Sequence, residues 1–579
     1  METASKNIRD IASNNSNNPK HKHLPLEHRG LFIPERHAIM GNSPSLKPRT
    51  INQWLDNLPL ANETQTAISL TTFIHQTNHI AYSLAKRFKA LEVLQPTIQR
   101  VLRHLKNSPY NHQWPLTKRI QQQLAITTSL LESVSIGYQI CVVDLLTQTA
   151  NPSRRALATC LQRSLQALGE ILLSTYHKYS APTPTIWYSI HQLYLIARSF
   201  SCKDRSVKNI EPLTPAYSSV AFEYKKQILL KLANPTRLLN SQVTDLETQA
   251  EIWAHDLELE IISDDTSSSM FVIDPLSDSS PMRYDLALQN TLDPLYVIPL
   301  DTLIKRLLGI LQAGKSGIKI PAVSGVSPTG TLIKLLLTNW LQKEKRTYKR
   351  TQQQVNLQAT IGLLNSFNFV SQNNRLSNQK STSTTLMLMD KNDYPLTSLA
   401  QSSFYGEITN NDSLDQPLGA SQASEKIHLH HCKVLNVSAN GYCLQRKDKI
   451  PTNIQIGDII ALYEPDNIHS PQSSIGVVRW LHYEASTGIT FGVQVLSPMA
   501  QALRTAFTKN GHNTLLPGLG LPKIPALQQP ASLLTSAQRY NIGDHIQINK
   551  GRQKINITLS ERIECHQGFD RFKYKIQID

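Results

Sequence analysis

The first half of the chain repeats apolar residues at the spacing of an α-helix. Five leucines, at intervals of four, four, three and four residues, share one helix face: Leu157, Leu161, Leu165, Leu168 and Leu172. A second stripe with the same periodicity is expected to pack in the core: Trp187, Ile190, His191 and Tyr194. These patterns predict a helical domain over 51–262. Residues 1–50 are rich in Asn, Ser, Lys and His and lack periodicity, which predicts a disordered tail.

The pattern changes to alternation further along the chain. After a mixed connecting region at 263–345, with a helix leading out of it, alternate residues become apolar: Val355, Leu357, Ala359 and Ile361. Short apolar runs separated by Gly, Asn and Asp follow as far as Val495. This succession predicts a small antiparallel β-barrel over 346–500. Residues 371–427 are polar and rich in turn formers, and they predict a disordered insertion within the barrel.

The C-terminal part contains four prolines in what we expect to be a linker at 501–535: Pro517, Pro522, Pro525 and Pro530. Alternating apolar residues return at 536–579, and Lys550-Gly551-Arg552 has the composition of a hairpin tip. These features predict a small C-terminal β unit. The complete fold class is therefore α+β and multidomain, with an all-α N-terminal region, an antiparallel β-barrel and this last unit.

Length and composition narrow the class of protein. A chain of 579 residues is long enough for roughly three or four domains. It has no run of about 18 apolar residues, so we expect no membrane span. Residues Met1–Ser5 do not open an apolar segment, which argues against a signal peptide. Six scattered cysteines without a C-x-x-C pair are typical of a reducing compartment, so a cytoplasmic location is expected.

The net charge of +16 favours anionic partners, and part of it is concentrated in one short segment. Five cations accompany a single acidic residue, Glu344: Lys343, Lys345, Arg346, Lys349 and Arg350. This cluster suits a compact dianion, and it is also compatible with a solvated helix end. Few aromatic residues are interleaved with it, so no specific nucleic-acid partner is predicted.

Two short motifs carry the chemistry that we consider most specific. The first is R-x-x-x-R, with Arg346 and Arg350; the second is N-x-S-x-x-G, with Asn436, Ser438 and Gly441. Arginine grips phosphate and the guanine edge through paired hydrogen bonds, which lysine cannot do. Asn and Ser at a strand-to-turn junction add short polar groups. The glycine permits a positive φ or a close backbone approach.

In this order, on a run of short strands, the motifs resemble those of the PilZ family of bacterial cyclic di-GMP receptors. The resemblance covers about 346–370 and 428–498. It implies that Arg346, Arg350, Asn436 and Ser438 contact the dinucleotide, with Gly441 as the turn residue, and that no other cofactor is needed. The separation of 86 residues between Arg350 and Asn436 (436 − 350) exceeds the family's usual few tens.

Other chemical signals are weaker. Gly309–Ser316 matches G-x-x-x-x-G-K-[ST], but the apolar residues before it fit a helix rather than a strand, and Gly314 fits a helix C-cap. His428, His430, His431 and Cys432 lack a second ligand pair, so no metal site is predicted. No nucleophile–His–acid set can be assembled from spacing. We therefore predict no catalytic residues and no enzyme activity.

The sequence thus predicts a PilZ-type cyclic di-GMP effector whose helical region docks a protein partner. Ligand bridging the Arg346–Arg350 segment and the Asn436–Gly441 turn would fix the preceding helix against the barrel. Two alternatives stay open. One is an adaptor whose barrel binds no nucleotide, and the other is a P-loop NTPase acting through Gly309–Ser316.

Overall fold

The computed structural model describes residues 30–106, 116–148, 151–210, 216–261, 271–284, 296–315, 330–341, 350–353, 355–380, 428–447, 454–464, 473–509, 512–524, 529–550 and 553–577. The chain divides into two compact units. The first contains the residues up to 343, apart from 179–181 and 236–240, and the second contains those two segments and 344–579.

The first unit is mainly helical. Its described helices are α1 (Pro48–Asp56), α2 (Glu63–Asn78), α3 (Leu84–Lys106), α4 (Lys118–Gln148), α5 (Arg154–His177), α6 (Ile186–Ser199), α7 (Val220–Leu232), α8 (Asn240–Trp253), α9 (Asp301–Lys315) and α10 (Gly330–Leu341). Side chains cap several helix starts: Asn62 accepts a 3.0 Å hydrogen bond from the backbone N–H of Gln65, and Ser219 accepts one of 3.1 Å from Phe222. Pro96 lies inside α3.

The two predicted helix faces are confirmed as core. The five leucines of α5 are all buried, and so are the four stripe residues of α6. His191, at the centre of that stripe, accepts a 2.8 Å hydrogen bond at Nδ1 from the Tyr224 hydroxyl and donates one of 2.9 Å from Nε2 to the Ser279 carbonyl. Because a carbonyl oxygen can only accept, this pairing fixes the neutral tautomer with its proton on Nε2.

Helix α4 is the one described helix that is long and apolar enough to cross a membrane. Its apolar window is 72% buried inside the protein, and residues such as Tyr138 and Ile140 are fully enclosed. Helix α4 packs against α5, α2 and α3, so its apolar character is that of a central core helix.

The expected disordered tail is wrong for residues 30–50. Leu31 and Leu46 are buried, and Arg36 donates from Nη1 to both carboxylate oxygens of Asp144, at 2.8 and 3.1 Å. Buried apolar residues and an ion pair hold this irregular segment in place. It could not be predicted from the sequence pattern, because an irregular segment has no apolar periodicity. Residues 1–29 lie outside the described part of the chain.

The first unit also contains short strands: β1 (Val207–Lys208), β2 (Tyr217–Ser218), β3 (Glu260–Ile261), β4 (Phe271–Ile273), β5 (Met282–Arg283) and β6 (Tyr296–Ile298). Strands β3, β6, β4 and β5 form an antiparallel sheet in that order. The P-loop alternative is wrong here, because Gly309–Lys315 is the end of helix α9, without a strand leading into it. Gly314 lies within the helix and not after it.

The second unit contains two closed six-stranded antiparallel barrels. The middle barrel is built from β7 (Asn356–Ile361), β8 (His430–Ser438), β9 (Gly441–Arg446), β10 (Ile459–Tyr463), β11 (Ser474–Glu484) and β12 (Gly488–Ser497). The C-terminal barrel is built from β13 (Gln501–Lys509), β14 (His512–Leu521), β15 (Ser532–Ser536), β16 (His545–Lys550), β17 (Gln553–Cys565) and β18 (Phe569–Ile576). The predicted antiparallel barrel is confirmed.

The two barrels follow the same chain path. Going round the ring, the middle barrel has the order β7-β8-β9-β12-β11-β10 and the C-terminal barrel has the order β13-β14-β15-β18-β17-β16. Each enters its fourth strand through a Gly-Asp turn, in which Gly457 has φ +86° and Gly543 has φ +93°. The carboxylates of Asp458 and Asp544 each accept a 2.7 Å hydrogen bond from the backbone N–H three residues earlier.

The C-terminal barrel corrects the prediction of a linker at 501–535. Strands β13, β14 and β15 occupy most of that segment, so the β unit expected at 536–579 is half of a larger barrel. Pro517 fits inside β14 because the ladder from β14 to β15 includes only Leu519–Leu521. Pro517 therefore has no partner on β15, and its missing N–H breaks no hydrogen bond to that strand.

The insertion predicted at 371–427 is also partly wrong. Helix α11 (Leu363–Lys380) follows β7 directly, and its last ten residues, 371–380, are the first ten of the predicted insertion. Residues 381–427 lie outside the described part of the chain. Phe367 and Val370 of α11 are buried in an apolar cluster that contains Ile459 of the middle barrel and Leu519 of the C-terminal barrel. The apolar side of this helix contacts both barrels. The sequence pattern did not predict the helix, because the residues that follow this apolar part are polar.

Candidate ligand site on the middle barrel

The N-x-S-x-x-G motif forms the tight hairpin between β8 and β9. Ser438 and Gly441 are paired across it, and the Ser438 hydroxyl donates a 3.3 Å hydrogen bond to the Gly441 carbonyl. The φ of Gly441 is not in the left-handed region. Instead, a Cβ added there would lie 2.1 Å from the Val493 carbonyl oxygen on β12. Glycine is therefore required for the close approach of two backbones.

The R-x-x-x-R segment meets this hairpin through backbone pairing. Thr351 and Val437 form an isolated antiparallel bridge with two N–H···O bonds of 2.9 Å. This bridge extends the β7–β8 pairing toward the hairpin. Because Arg350 immediately precedes Thr351, it is held next to Asn436 and Ser438, which flank Val437 on β8.

Arg350 lies close enough to the hairpin strands for its charge to act on the pKa of Cys443. Burial raises the pKa of the Cys443 thiol, while the positive charge of Arg350 and a hydrogen bond with the Asn436 side chain act in the opposite direction. Asn436 and Cys443 are direct partners in the β8–β9 ladder, just after a register shift between Val434 and Asn436. Arg350 itself is exposed. The structure thus brings an exposed arginine and two short polar side chains to one patch.

The other predicted arginine cannot be placed in the same way. Arg346 lies in 342–349, outside the described residues. Of the five predicted site residues, the structure therefore brings together Arg350, Asn436, Ser438 and Gly441. The role of Arg346 stays a prediction.

Sequence analysis overlooked an aromatic residue on the same barrel face. Trp480 on β11 pairs with Gly492 on β12, and Gly492 pairs with Cys443 on β9. A Cβ on Gly492 would lie 1.9 Å from Nε1 of the Trp480 indole. The sequence does show a tryptophan and a glycine on two successive strands with alternating apolar residues. Whether the two residues face each other depends on the register of the strands, which spacing alone does not give.

A polar junction between the barrels was overlooked as well. Arg479 donates to Gln494 at 2.7 Å on the middle barrel and to the carboxylate of Glu564 on the C-terminal barrel. His566 contacts the same carboxylate oxygen of Glu564 at 2.8 Å. Hydrogen bonds and the positive charge of Arg479 outweigh burial and lower the pKa of Glu564 to about 2. Gln494 is also the ladder partner of Gly441, so this junction reaches the motif hairpin.

The histidine-rich segment divides between two faces of β8. His430 and Cys432 point into the barrel, whereas His431 is exposed. Within the described ranges, no group of three His, Cys, Asp or Glu side chains is placed to hold a metal ion.

Comparisons with known proteins agree along nearly the whole chain. Residues 49–265 match a family model described as the N-terminal domain of the cyclic-di-GMP receptor FimW, residues 270–502 match its middle PilZ domain, and residues 501–577 match its C-terminal β-barrel domain. The chain is 24% identical over 555 residues to the cyclic-di-GMP receptor FimW of Pseudomonas aeruginosa strain PAO1. That alignment covers 91% of this chain and 90% of the relative. No solved structure matches the chain.

Proposed function

The chain belongs to the FimW family of PilZ-domain proteins, and on that premise we propose that it is a receptor for cyclic di-GMP. One structural observation supports assigning the binding site to particular residues. The Thr351–Val437 bridge holds Arg350 beside the hairpin that contains Asn436, Ser438 and Gly441. Two described parts of the sequence motifs, Arg350 and the hairpin, are thus neighbours on the outside of the middle barrel although a long stretch of sequence separates them.

Each of these groups has a chemical role toward a cyclic dinucleotide. The guanidinium of Arg350 offers paired N–H donors to a phosphate or to the O6/N7 edge of guanine. Asn436 and Ser438 offer short polar groups that recognise the dinucleotide at close range. Gly441 keeps the hairpin packed against β12, so these groups are held ready before the ligand arrives. Arg346 would supply a second guanidinium from the same segment.

The proposed output lies in the helical unit. A receptor without a catalytic site acts by changing which partner it binds, and the N-terminal helices provide the surface for a protein partner. Binding at the Arg346–Arg350 segment would act on the preceding chain, including helix α10, by favouring the conformation with higher ligand affinity. We propose that this signalling takes place in the cytoplasm and needs neither catalysis nor a cofactor.

The alternative class is an adaptor with a barrel that binds no nucleotide. The two functions differ in one measurable property, which is saturable binding of cyclic di-GMP. We therefore propose calorimetric titration of cyclic di-GMP into the full-length protein, with GMP and ATP as competing ligands. Binding of cyclic di-GMP alone supports the receptor, and a folded protein that binds none of the three supports the adaptor.

Variants assign the binding to the site. We expect Arg350→Ala and Arg346→Ala each to weaken binding by about 2 kcal/mol, as for loss of a hydrogen bond to a charged group. The matched control is Arg539→Ala, which removes an exposed arginine from a turn of the C-terminal barrel. Equal affinity in all three variants would reject this site while leaving the receptor function in place.

A further inference from the structure

The helical unit contains a long cleft that is separate from the proposed cyclic di-GMP site. It has a volume of about 290 Å³ and lies between helices α3, α4, α5 and α8. Along α5 its lining residues recur every three or four positions, on one face of the helix: Arg163, Ala167, Glu170, Leu173 and His177. From the first to the last of these residues the helix axis advances by about 21 Å.

The walls of the cleft are mostly apolar. Five of the residues that line it are also buried in the core: Ile98, Leu131, Val134, Ala167 and Leu173. Protein interiors are close-packed and leave few voids larger than a water molecule. Because an apolar cavity of about 150 Å³ is already large enough to bind benzene, this cleft has room for a larger apolar molecule.

One end of the cleft is at an arginine whose charge is already compensated. Arg163 is buried, and its guanidinium donates to the Gln162 side chain at 2.9 Å and to the Lys208 carbonyl at 2.8 Å. Its Nε lies 3.6 Å from the carboxylate of Glu92. This end of the cleft therefore does not require a charged group from a ligand.

The charges at the solvent side of the cleft balance as well. Lys106 pairs with Glu170 at 3.3 Å and with Glu247, and the Lys106 side chain is 44% exposed. These three residues join α3, α5 and α8. Arg103 also lines the cleft, so two cations stand against two carboxylates here. A ligand that brought a further charge into the cleft would lose hydration without gaining an opposite charge in excess.

Length and volume together show what shape of molecule fits. A helix about 10 Å wide that followed α5 for the same distance would occupy roughly 1,600 Å³. That is several times the volume of the cleft, so a partner helix does not enter it. A single hydrocarbon chain is narrow enough to extend along it.

We propose that this cleft binds an uncharged, single-chain apolar molecule that carries a hydroxyl or carbonyl group, such as a long-chain alcohol or ester. The apolar walls bind the chain. The amides of Gln95, Gln99 and Gln166, which line the cleft, can donate to or accept from the polar group. This site is additional to the proposed cyclic di-GMP site, and its test does not depend on cyclic di-GMP binding.

The test titrates decanol into the full-length protein in a calorimeter, and we expect saturable binding of one molecule per chain. From hexanol to octanol to decanol, each added methylene should strengthen binding by about fourfold. Decanoate and decyltrimethylammonium have chains shorter than the cleft, so binding draws their charged groups out of water. Each should bind at least about tenfold more weakly than decanol.

A substitution assigns the binding to the cleft. Ala167→Phe places a ring in the middle of the apolar wall, and we expect decanol to bind at least about tenfold more weakly. The matched control is Ala125→Phe, which adds the same ring at an exposed position of α4 and should bind like wild type. Unfolding curves show whether both variants are folded.

Several outcomes would overturn the site. Folded wild type that binds none of the alcohols leaves the cleft to protein side chains and rejects a ligand of this class. Equal binding of decanol and the two charged amphiphiles rejects the uncharged ligand, and undiminished binding by folded Ala167→Phe rejects the location. If that variant does not fold, the chain-length series on the wild type still decides, because affinity that does not rise with length contradicts a long apolar cleft.

Discussion

Gly441 lies so close to Val493 that the two strands leave no room for a side chain: an added Cβ would be 2.1 Å from the Val493 carbonyl oxygen. The contact is between backbones, so no change of side-chain rotamer can relieve it. We expect Gly441→Ala to separate the motif hairpin from β12. The unfolding free energy should fall by about 1–3 kcal/mol, as for other overpacked sites, and binding of cyclic di-GMP should weaken.

The control for that substitution is Gly309→Ala in helix α9. A Cβ on Gly309 meets nothing within 4 Å, and alanine is favoured over glycine inside a helix by up to about 1 kcal/mol. This variant should unfold no more easily than wild type and bind cyclic di-GMP unchanged. Chemical denaturation and calorimetry measure both quantities. A Gly441→Ala protein as stable as wild type would contradict the close approach.

The bridge between Thr351 and Val437 predicts a second effect. Thr351→Pro removes the N–H that donates to the Val437 carbonyl, which is one of the two hydrogen bonds of the bridge, and so weakens the pairing that holds Arg350 against β8. We expect binding of cyclic di-GMP to weaken by about 1–2 kcal/mol, with little change in the unfolding of either barrel. Thr351→Ala keeps the backbone bridge and should bind like wild type. Equal binding by both variants would show that the bridge does not position the arginine.

Buried His191 predicts acid sensitivity of the helical unit. Burial lowers the pKa of His191 to about 4, below its usual 6.5, despite the carbonyl of Ser279 and nearby carboxylates. Between these values the unfolded chain binds more protons than the folded one, so stability is complete above pH 6.5 and is lost as pH falls toward 4. The loss can reach about 3 kcal/mol.

Denaturation of the wild type and of His191→Gln at pH 7.5 and pH 4.5 measures this loss of unfolding free energy. His191→Gln should be less stable at pH 7.5, because it leaves the Tyr224 hydroxyl poorly paired, but it should lose less on acidification. His37→Gln removes an exposed histidine and serves as the control. A pH dependence that is the same in all three proteins would be inconsistent with a buried neutral His191.

Asp458 predicts the opposite dependence in the middle barrel. Burial raises the pKa of Asp458 to about 6, although the N–H of Gln455 and the charge of His566 oppose the change. Between about pH 4 and pH 6 the folded state binds more protons, so this carboxyl destabilises the fold above pH 6, and the cost is relieved as pH falls. Asp458→Asn should remove that dependence, which a pH series of unfolding curves will show. Asp544→Asn, in the equivalent turn, controls for the altered turn hydrogen bond.

The parts of the fold that the sequence predicted depend on local periodicity. The leucines of α5 lie on one face because their spacing alone determines it, and the same holds for the alternating residues of β7. The N-x-S-x-x-G hairpin is also local, since its ends are three residues apart. These features required no knowledge of what they pack against.

The remaining features depend on distant partners. The bridge from Thr351 to Val437 joins residues separated by α11 and the segment after it, and spacing does not determine such a register. Pro517 suggested a linker because it is unfavourable in most strands; only the short β14–β15 ladder makes it acceptable. The Ile-Gly-Asp sequence occurs at both 456–458 and 542–544, and this repeat could have indicated the second barrel. Composition alone does not show it.

Closure of both barrels limits how this protein can be joined by others. Where a strand of either ring is paired on both sides, it has no free edge to which a foreign peptide can add as a further strand. The same pairing keeps those stretches from serving as templates for β-aggregation. Recognition there depends on the side chains displayed around the rings, which is also where a small dinucleotide can change what a partner meets.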